Sequence, residues 1–382
     1  MSAAAVEPAP ELLGPDWRAC YADTPGIYLL SHSVGRTPAD SLQALQRGFL
    51  DPWEAGESEP WGHWLPALEA FPRALAQLLN TRSEAICPQV NVSSGLVKLL
   101  GARPPAPGRA AVLFSAQDFP SLGFVIAQAR RLGFEPRMLP ADADVQDSAV
   151  WSDALTEDVH AVLVTHAFSN TGQLAPVAEI LGMARARGVL GIVDVAQSLG
   201  VIPIDLQQWP ADAVLGSCVK WCCGGPGAGF LWLSPERAAD FEPVDVGWFS
   251  HRDPFEFDIT HFDYAPDAAR FMGGTPSVMP FVLAANSLAL VNRIGIRRIR
   301  AHNLALGDRL IDGLEPQWLQ SPRAAERRSG TVVVRPADRE GCIERLREAG
   351  VAFDERTAGL RLSPHVYNSA AEIDAVIGCL TA

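Results

Sequence analysis

Two residues suited to covalent and electrostatic chemistry follow segments that the sequence predicts as buried strands. Asp194 ends the apolar run GVLGIVD, and Lys220 follows the apolar run ADAVLGSCV. A buried lysine lowers its pKa readily, and its amine can form a Schiff base with a carbonyl group. A buried carboxylate is costly unless it meets a cation. The pair therefore predicts a site for a ligand that offers both a carbonyl group and a positive charge.

A serine-rich turn supplies a third feature of such a site. The segment NVSSGLVKLL at 91–100 places serines directly before a helical run. The first turn of a helix presents backbone N–H groups and hydroxyls to an anion. Pyridoxal 5'-phosphate combines an aldehyde, a pyridinium nitrogen and a phosphate. The combination of the three features therefore indicates this cofactor.

Short apolar strands alternate with amphipathic helices around these residues. Helices are expected at 121–134 and 177–188, and strands are expected at 110–116, 160–168, 189–195, 213–218 and 227–234. This alternation is typical of an α/β fold with a mostly parallel central sheet and helices on both of its faces. Ligands of such sheets bind beyond the carboxyl ends of the strands, where Asp194 and Lys220 are placed.

The pattern changes towards the C-terminus, where a smaller α+β domain is expected over 286–382. Residues 282–314 are predicted as one long helical stretch, followed by short strands and two further helices. We expect 36–285 to form the large cofactor-binding domain and 1–35 to be an N-terminal segment that packs on the small domain.

The bulk composition narrows the class of protein and its partners. A net charge of −13 argues against a nucleic-acid partner, which would need a positive face. The seven cysteines are an odd number in a long chain, which does not fit a secreted disulfide framework. The sequence has neither the pattern of a signal peptide nor an uncharged apolar segment of membrane-spanning length. We therefore expect a cytoplasmic protein with no membrane partner.

Eight short motifs together resemble the fold type I pyridoxal-phosphate enzymes of the class V aminotransferase group, and kynureninases most closely. In chain order they are IYLLSHSVGRTP, DFPS, THAFSNTG, DVAQS, VKWCCGGPGAGFLW, GWFSH, FMGGTPS and LRLSPHVYN. Each motif is weak alone, but their common order over nearly the whole chain is specific. The resemblance implies a homodimer whose active sites are shared across the interface and whose small-molecule substrate is an α-amino acid.

The resemblance also implies roles for individual residues. Lys220 is similar to the lysine that binds the cofactor as an aldimine and moves the Cα proton, and Asp194 to the acid that keeps the pyridine nitrogen protonated. Arg361 resembles the arginine that binds the substrate α-carboxylate, a task that suits a planar guanidinium. His32 and Ser33 are expected in the substrate pocket. The other implied cofactor contacts are Val92 through its backbone, Ser93, Phe119, Thr165, Gln197, Ser217, Trp248 and, from the other subunit, Thr275.

Three positions depart from the kynureninase pattern. Kynureninases have a tyrosine at the position of Val219, an acid at that of Leu122 and a histidine at that of Gln197. Valine and leucine cannot transfer a proton. A water or the hydroxyl of Tyr367 or Ser33 is a candidate for that task.

Several reactions stay open, because all of them begin with removal of the Cα proton by Lys220. Kynureninase-like hydrolytic cleavage of a carbon–carbon bond ranks first, and transamination, epimerisation and carbon–sulfur lysis are the alternatives. A non-catalytic protein with the same fold is an outside alternative. No metal is predicted, because the cysteines of VKWCCGG lack the second, distant ligand pair of a zinc site.

Overall fold

The computed structural model describes residues 12–56 and 59–382 of the chain. Its strands, in chain order, are β1 (Ile27–Tyr28), β2 (Ile86–Gln89), β3 (Ala111–Ser115), β4 (Glu135–Leu139), β5 (Val159–Thr165), β6 (Leu190–Asp194), β7 (Ala213–Ser217), β8 (Gly229–Leu233), β9 (Val332–Val334), β10 (Val351–Ala352), β11 (Asp354–Glu355) and β12 (Leu360–Leu362). Its α-helices are α1 (Pro15–Arg18), α2 (Ser41–Leu45), α3 (Asp51–Ala55), α4 (Trp61–Leu79), α5 (Val92–Gly101), α6 (Pro120–Gln128), α7 (Ser148–Ala154), α8 (Val177–Ala186), α9 (Met279–Ile294), α10 (Ile296–Asp312), α11 (Arg339–Glu348) and α12 (Ala370–Thr381).

The main sheet has seven strands in the order β2-β8-β7-β6-β5-β3-β4. Strands β7, β6, β5, β3 and β4 run parallel, and β8 is antiparallel to both of its neighbours. Alternate residues of β5 enter two different cores: Val162 and Val164 lie in one, and Ala161 and Leu163 in the other. Side chains of successive strand residues point to opposite faces, so both faces of the sheet are covered. The predicted α/β class is confirmed.

A smaller, mainly aliphatic core is formed by side chains of strands β9 and β12 and of helices α10 to α12. Strands β9 and β12 belong to the antiparallel sheet β11-β12-β9. Strand β1 pairs in parallel with β10, so the N-terminal segment contacts this part of the chain. The division into 1–35, 36–285 and 286–382 stays a prediction, and residues 1–11 of the first segment lie outside the described residues. Helix α9 runs across the proposed boundary at residue 285.

The prediction of a single helical stretch over 282–314 is wrong in one respect. The chain forms two helices there, α9 and α10, which are bent by 78° at Gly295. Gly295 has φ 92, a conformation that favours glycine and ends a helix. Among the described residues no single helix is long and apolar enough to cross a membrane, and α9 and α10 reach that length only as a bent pair.

A glycine of the N-terminal segment lets this segment approach the loop that contains Lys220. The Gly35 backbone N–H donates to the Val219 carbonyl oxygen at 2.9 Å. A Cβ atom at position 35 would lie 2.2 Å from the Lys220 carbonyl oxygen and 2.5 Å from Cys223 Sγ. Only glycine fits this approach, so the backbone at Lys220 is fixed from the N-terminal side.

We predict that Gly35→Ala destabilises the protein by about 1–3 kcal/mol, because the new methyl group must displace the Lys220 backbone. Denaturant unfolding measures this loss, and titration with pyridoxal phosphate measures the accompanying loss of affinity. The matched control is Gly62→Ala, in helix α4, where an added Cβ meets nothing within 4 Å. That control raises stability by about 0.5–1 kcal/mol. Equal stability of Gly35→Ala and wild type would contradict this account of the loop.

Candidate active site

The carboxyl ends of three neighbouring strands meet at one cavity. Thr165 ends β5, Asp194 ends β6 and Ser217 ends β7, and Thr165 is directly opposite Asp194 in the strand register. Lys220 follows β7 by three residues. All four line a cavity of about 190 Å³. The predicted meeting of the aspartate and the lysine at this edge of the sheet is therefore what the fold produces.

The N-terminus of helix α5 closes another side of the cavity. Asn91 is its N-cap, and the Asn91 side-chain oxygen accepts a hydrogen bond from the Ser94 backbone N–H at 2.8 Å. Val92 and Ser93 form the first turn, and both line the cavity together with Ser217. Free backbone N–H groups and two hydroxyls therefore face the same space, which is a donor set suited to a phosphate.

Asp194 is a buried carboxylate with little compensation from the protein. Its Oδ1 accepts one hydrogen bond, from the Ala196 backbone N–H at 2.9 Å. Among the described residues no lysine, arginine or histidine nitrogen lies within ion-pairing distance of it. Burial raises the pKa of Asp194, and Lys220 opposes the rise only in part. A bound cation in the cavity would stabilise the ionised form of this carboxyl group.

Lys220 is the reactive amine of the cavity. Burial lowers its pKa, with Asp194 acting in the opposite direction, so the neutral amine is favoured relative to a lysine in water. Its Nζ lies 5.6 Å from the centre of the Phe119 ring. The chain has only one other lysine, Lys98. That residue is occupied, because its Nζ lies 3.1 Å from the carboxylate of Asp245 and donates to the Phe271 carbonyl at 3.2 Å.

Comparison with known proteins places this arrangement in a family. The family described as Aminotransferase class-V matches residues 96–376. The chain belongs to the class V aminotransferase family. It is 30% identical to the kynureninase of Deinococcus radiodurans over an alignment of 354 residues that covers 88% of this chain and 84% of that protein. It is 26% identical to the kynureninase of Pseudomonas fluorescens, over 86% of this chain and 82% of that protein.

Solved structures of this class V fold agree with the architecture. The apo structure of cysteine desulfurase from Thermococcus onnurineus NA1 has a TM-score of 0.82 at 21% identity and covers 97% of this chain and 98% of its own. The complex of the cystine C–S lyase C-DES with cysteine persulfide has a TM-score of 0.82 at 22% identity and covers 94% of this chain and 97% of its own. At this identity the likeness confirms the predicted fold type and nothing further.

Pyridoxal 5'-phosphate is the cofactor of this class V enzyme. The cavity fits it on the evidence of its own atoms. The nearly uncompensated Asp194 carboxylate suits a protonated ring nitrogen, and Lys220 suits an aldehyde. The first turn of α5 suits a phosphate. Thr165 Oγ1 is buried beside the Asp118 carboxyl group without a well-aligned hydrogen bond among the described residues, which leaves it available to a bound group.

The structure brings most of the predicted cofactor residues together. The cavity is lined by the predicted residues Val92, Ser93, Phe119, Thr165, Asp194, Gln197, Ser217 and Lys220. Two do not line it: Trp248 packs against Phe249, Phe255 and Phe257, and Thr275 is exposed. The roles of all these residues stay predictions.

The side chain of Gln197 is already bonded at both ends. Its amide nitrogen donates to the His32 carbonyl oxygen at 3.0 Å, and its oxygen accepts from Trp221 Nε1 at 3.3 Å. The proposed proton donors are less well placed. Ser33 is exposed, and the buried Tyr367 hydroxyl lies 2.6 Å from Ser31 Oγ, outside the cavity wall.

Arg361 is held by an aspartate that the sequence analysis did not identify. Strands β11 and β12 place Asp354 opposite Arg361. Arg361 Nε donates to Asp354 Oδ1 at 2.7 Å, and Nη2 donates to Asp354 Oδ2. Nη1 donates to the carbonyl oxygen of Ser169, a cavity residue, at 2.8 Å. Asp354 thus occupies the Nε–H and one N–H of Nη2, and Ser169 occupies one N–H of Nη1. One N–H on Nη1 and one on Nη2 remain for a substrate carboxylate.

Asp354 also connects Arg361 with His32. The Asp354 Oδ1 atom lies 2.8 Å from His32 Nε2, and His32 Nδ1 lies 2.6 Å from Ser363 Oγ. Burial alone would raise the pKa of Asp354, but the hydrogen bonds from His32 and Arg361 hold it below its usual range. Burial lowers the pKa of His32. His32 does not line the cavity, so it supports Arg361 through Asp354 in this structure.

We predict that Asp354→Asn weakens the binding of α-amino acids at least about tenfold, because a neutral amide cannot hold both nitrogens of the Arg361 fork. The absorbance change of the bound cofactor on titration with an amino acid measures this affinity. The control is the neighbouring Glu355→Gln, whose carboxylate pairs with Arg339 on the surface. An amine that lacks the carboxylate should bind both variants and wild type equally. Unchanged amino-acid affinity in Asp354→Asn would rule out the positioning role.

Asp118 is a second buried carboxyl group close to Thr165. Its Oδ2 accepts from the Ser115 backbone N–H at 2.9 Å, and its Oδ1 has no aligned hydrogen-bond partner among the described residues. Burial raises the pKa of Asp118 to about 7, and the charge of Asp194 adds to the rise. The group therefore binds its proton more tightly in the folded chain than in the unfolded chain, and its ionisation destabilises the fold.

We predict that Asp118→Asn removes this pH dependence. In the wild type, stability from this group falls as the pH rises from about 4 to about 7, since only the unfolded chain loses its proton readily in that window. The stability gained by the variant should therefore be on the order of 2 kcal/mol larger at pH 8 than at pH 5. Denaturant unfolding at both pH values measures it, with the exposed Asp153→Asn as control. The same gain at both pH values would show that Asp118 does not titrate in this range.

Proposed function

We propose that this enzyme cleaves the bond between the β and γ carbons of an α-amino acid by hydrolysis, as a kynureninase does. The observation that carries the proposal is the likeness to the kynureninase of Deinococcus radiodurans, which extends over 84% of that protein. The cavity adds support, because it combines Lys220, Asp194 and, through Ser169, Arg361 in one place.

The residues of the chain divide the chemistry among them. Bound pyridoxal phosphate supplies an electron sink for the negative charge that develops at Cα. Lys220 in its neutral form accepts the Cα proton, and burial favours that form. The ionised Asp194 stabilises positive charge at the ring nitrogen. Arg361 orients the substrate by its α-carboxylate, and Asp354 keeps the guanidinium in place.

The hydrolysis requires further proton transfers, to activate water and to protonate the β carbon. The cavity wall contains Val219 and Leu122, which cannot perform them. Among the described residues that line the cavity, the carboxyl and amine groups are those of Asp194 and Lys220. In this proposal Lys220 therefore returns the proton that it removes, and a hydroxyl or water assists the second transfer.

The same wall favours a second candidate reaction, the β-elimination of a thiol. Lys220 removes the Cα proton, the electron pair forms a Cα–Cβ double bond, and the carbon–sulfur bond breaks. The thiolate, or the persulfide when the substrate is cystine, leaves and takes up a proton, and the remaining aminoacrylate is hydrolysed by water to pyruvate and ammonia. This sequence needs no residue beyond Lys220 for proton transfer. The apolar Val219 and Leu122 are compatible with it, whereas hydrolysis of a ketone needs an activated water.

We also propose that two copies of the chain share each site and that the protein is cytoplasmic. The exposed Thr275, and Trp248 outside the cavity of its own chain, support a contribution to the site of a second copy. The seven cysteines are all free, which agrees with a reducing compartment.

The test is a product assay with the cofactor-loaded enzyme on L-kynurenine, 3-hydroxykynurenine and L-cystine. We expect equimolar alanine and anthranilate from kynurenine, measured by chromatography. Lys220→Ala should lower the rate by at least about a thousandfold, because the base is lost. Lys98→Ala is the control lysine variant and should keep turnover. Pyruvate from cystine, with no cleavage of either kynurenine, would overturn the first proposal in favour of the second.

A further inference from the structure

Two histidines and a glutamate converge on a loop that the proposed chemistry does not use. We call His251, Glu256 and His261 the His–Glu–His cluster. His251 Nε2 lies 2.7 Å from Glu256 Oε2, and His261 Nδ1 lies 2.7 Å from Glu256 Oε1. One potential ligand atom from each residue lies within 4.8 Å of the others. Three donors of the types that bind transition metals therefore surround one point.

The outer atoms of both imidazoles are also arranged as in metal sites. His251 Nδ1 lies 2.8 Å from the Asp263 carbonyl oxygen and 2.9 Å from the Asp263 backbone nitrogen, and His261 Nε2 lies 3.5 Å from the Asp263 carboxylate. A histidine that binds a metal through one nitrogen usually has the other nitrogen directed at a carbonyl or carboxylate, which fixes the ring. Asp263 offers one such group to each ring. The inner nitrogens are thereby left for the cluster centre.

The loop is closed at its base, so the cluster is not the result of a free-swinging segment. The Arg252 N–H donates to the Asp263 carbonyl at 2.9 Å, and the Ala265 N–H donates to the Ser250 carbonyl at 2.9 Å. Within the loop, Phe257, the residue directly after Glu256, adopts φ 55. A non-glycine residue in this left-handed region is uncommon and costs free energy, so the turn that aims Glu256 at the histidines is a specific one.

Charge and access both suit a cation at the cluster. Residues 252–263 contain four acidic side chains and one arginine. His251 and His261 line a cavity of about 370 Å³, and half of the His261 side chain is exposed to solvent. An ion can therefore enter from solvent, and a water can complete its coordination.

We propose that His251, Glu256 and His261 form a Zn²⁺ site with one open coordination position. Imidazole and carboxylate ligands select zinc over magnesium or calcium, which prefer oxygen ligands only. Zinc ligands at 2.0–2.1 Å in a tetrahedron are about 3.3 Å apart. The two histidine nitrogens lie within 4.8 Å of each other and therefore need to approach by up to about 1.5 Å, while each moves slightly away from its Glu256 oxygen at 2.7 Å. Side-chain rotations of that size are available to His261 and Glu256, whose side chains are 51% and 33% exposed.

A bound ion would restrain the loop that contacts Trp248. The Phe257 ring stacks on the Trp248 indole at 6.0 Å between centres, and Phe255 contacts the same indole edge-on at 5.6 Å. Since Glu256 lies between these two phenylalanines, a metal that fixes Glu256 also fixes both contacts. The proposed effect of the ion is therefore to hold the loop against Trp248, with water in the fourth coordination position.

The proposal is tested by equilibrium dialysis against Zn²⁺. The enzyme is loaded with cofactor and then freed of excess cofactor and amino acids. We expect one Zn²⁺ per chain, with affinity lowered at least tenfold in His261→Ala and in Glu256→Gln. The isosteric Glu256→Gln keeps the turn and guards against a folding defect. The matched control is the exposed His63→Ala, in helix α4, which should bind as wild type does. Mg²⁺ in millimolar excess should not compete.

Two outcomes would overturn the proposal. No stoichiometric zinc in the wild type would show that the cluster is held by hydrogen bonds alone. Equal zinc affinity in wild type, His261→Ala and Glu256→Gln would place the metal elsewhere, with the half-exposed thiols of Cys20 and Cys379 as the next ligands to examine. If the proposal is right, Zn²⁺ also raises the melting temperature of the wild type but leaves that of His261→Ala unchanged.

Discussion

The structure depends on holding an amine and a carboxylate in one cavity without letting them neutralise each other. Burial disfavours the charged form of both Lys220 and Asp194, and among the described residues neither forms an ion pair. The cost of burying two such groups is offset only when a ligand supplies an aldehyde to one and a cation to the other. The parallel strands β5 to β7 hold Asp194 at the sheet edge, and the close approach of Gly35 fixes the backbone at Lys220.

A second constraint sits at the edge of the cavity. Arg361 is 4% exposed, and a buried guanidinium without a carboxylate would be costly. Asp354 supplies that carboxylate permanently, on the side of the guanidinium that the substrate does not need. His32 and Ser363 fix Asp354 in turn. The carboxylate of an amino acid thus meets a guanidinium that is already oriented, which lowers the entropy lost on binding.

The sequence was sufficient where a residue's position follows from its own segment. The runs that became β5, β6 and β7 are largely apolar, and the polar residue that ends each run must lie at the sheet edge. Strand β4 was not foreseen, because its EPRML sequence has the proline and charges of an edge strand. The break between α9 and α10 was signalled by Gly295, whose turn inside an apolar helical pattern is easily overlooked.

Asp354 could be found only once the register of β11 against β12 was known. The His–Glu–His cluster has a five-residue spacing that matches neither helix nor strand, so only the folded loop reveals it.

The central claim is that Lys220 binds the cofactor covalently, and the chain permits a clean test because it contains only two lysines. The protein is loaded with pyridoxal phosphate, reduced with borohydride, digested and mapped by mass spectrometry. The account predicts one phosphopyridoxyl group per chain, on the peptide that contains Lys220. Modification of Lys98 instead, or a reduced protein with no label on either lysine, would contradict it.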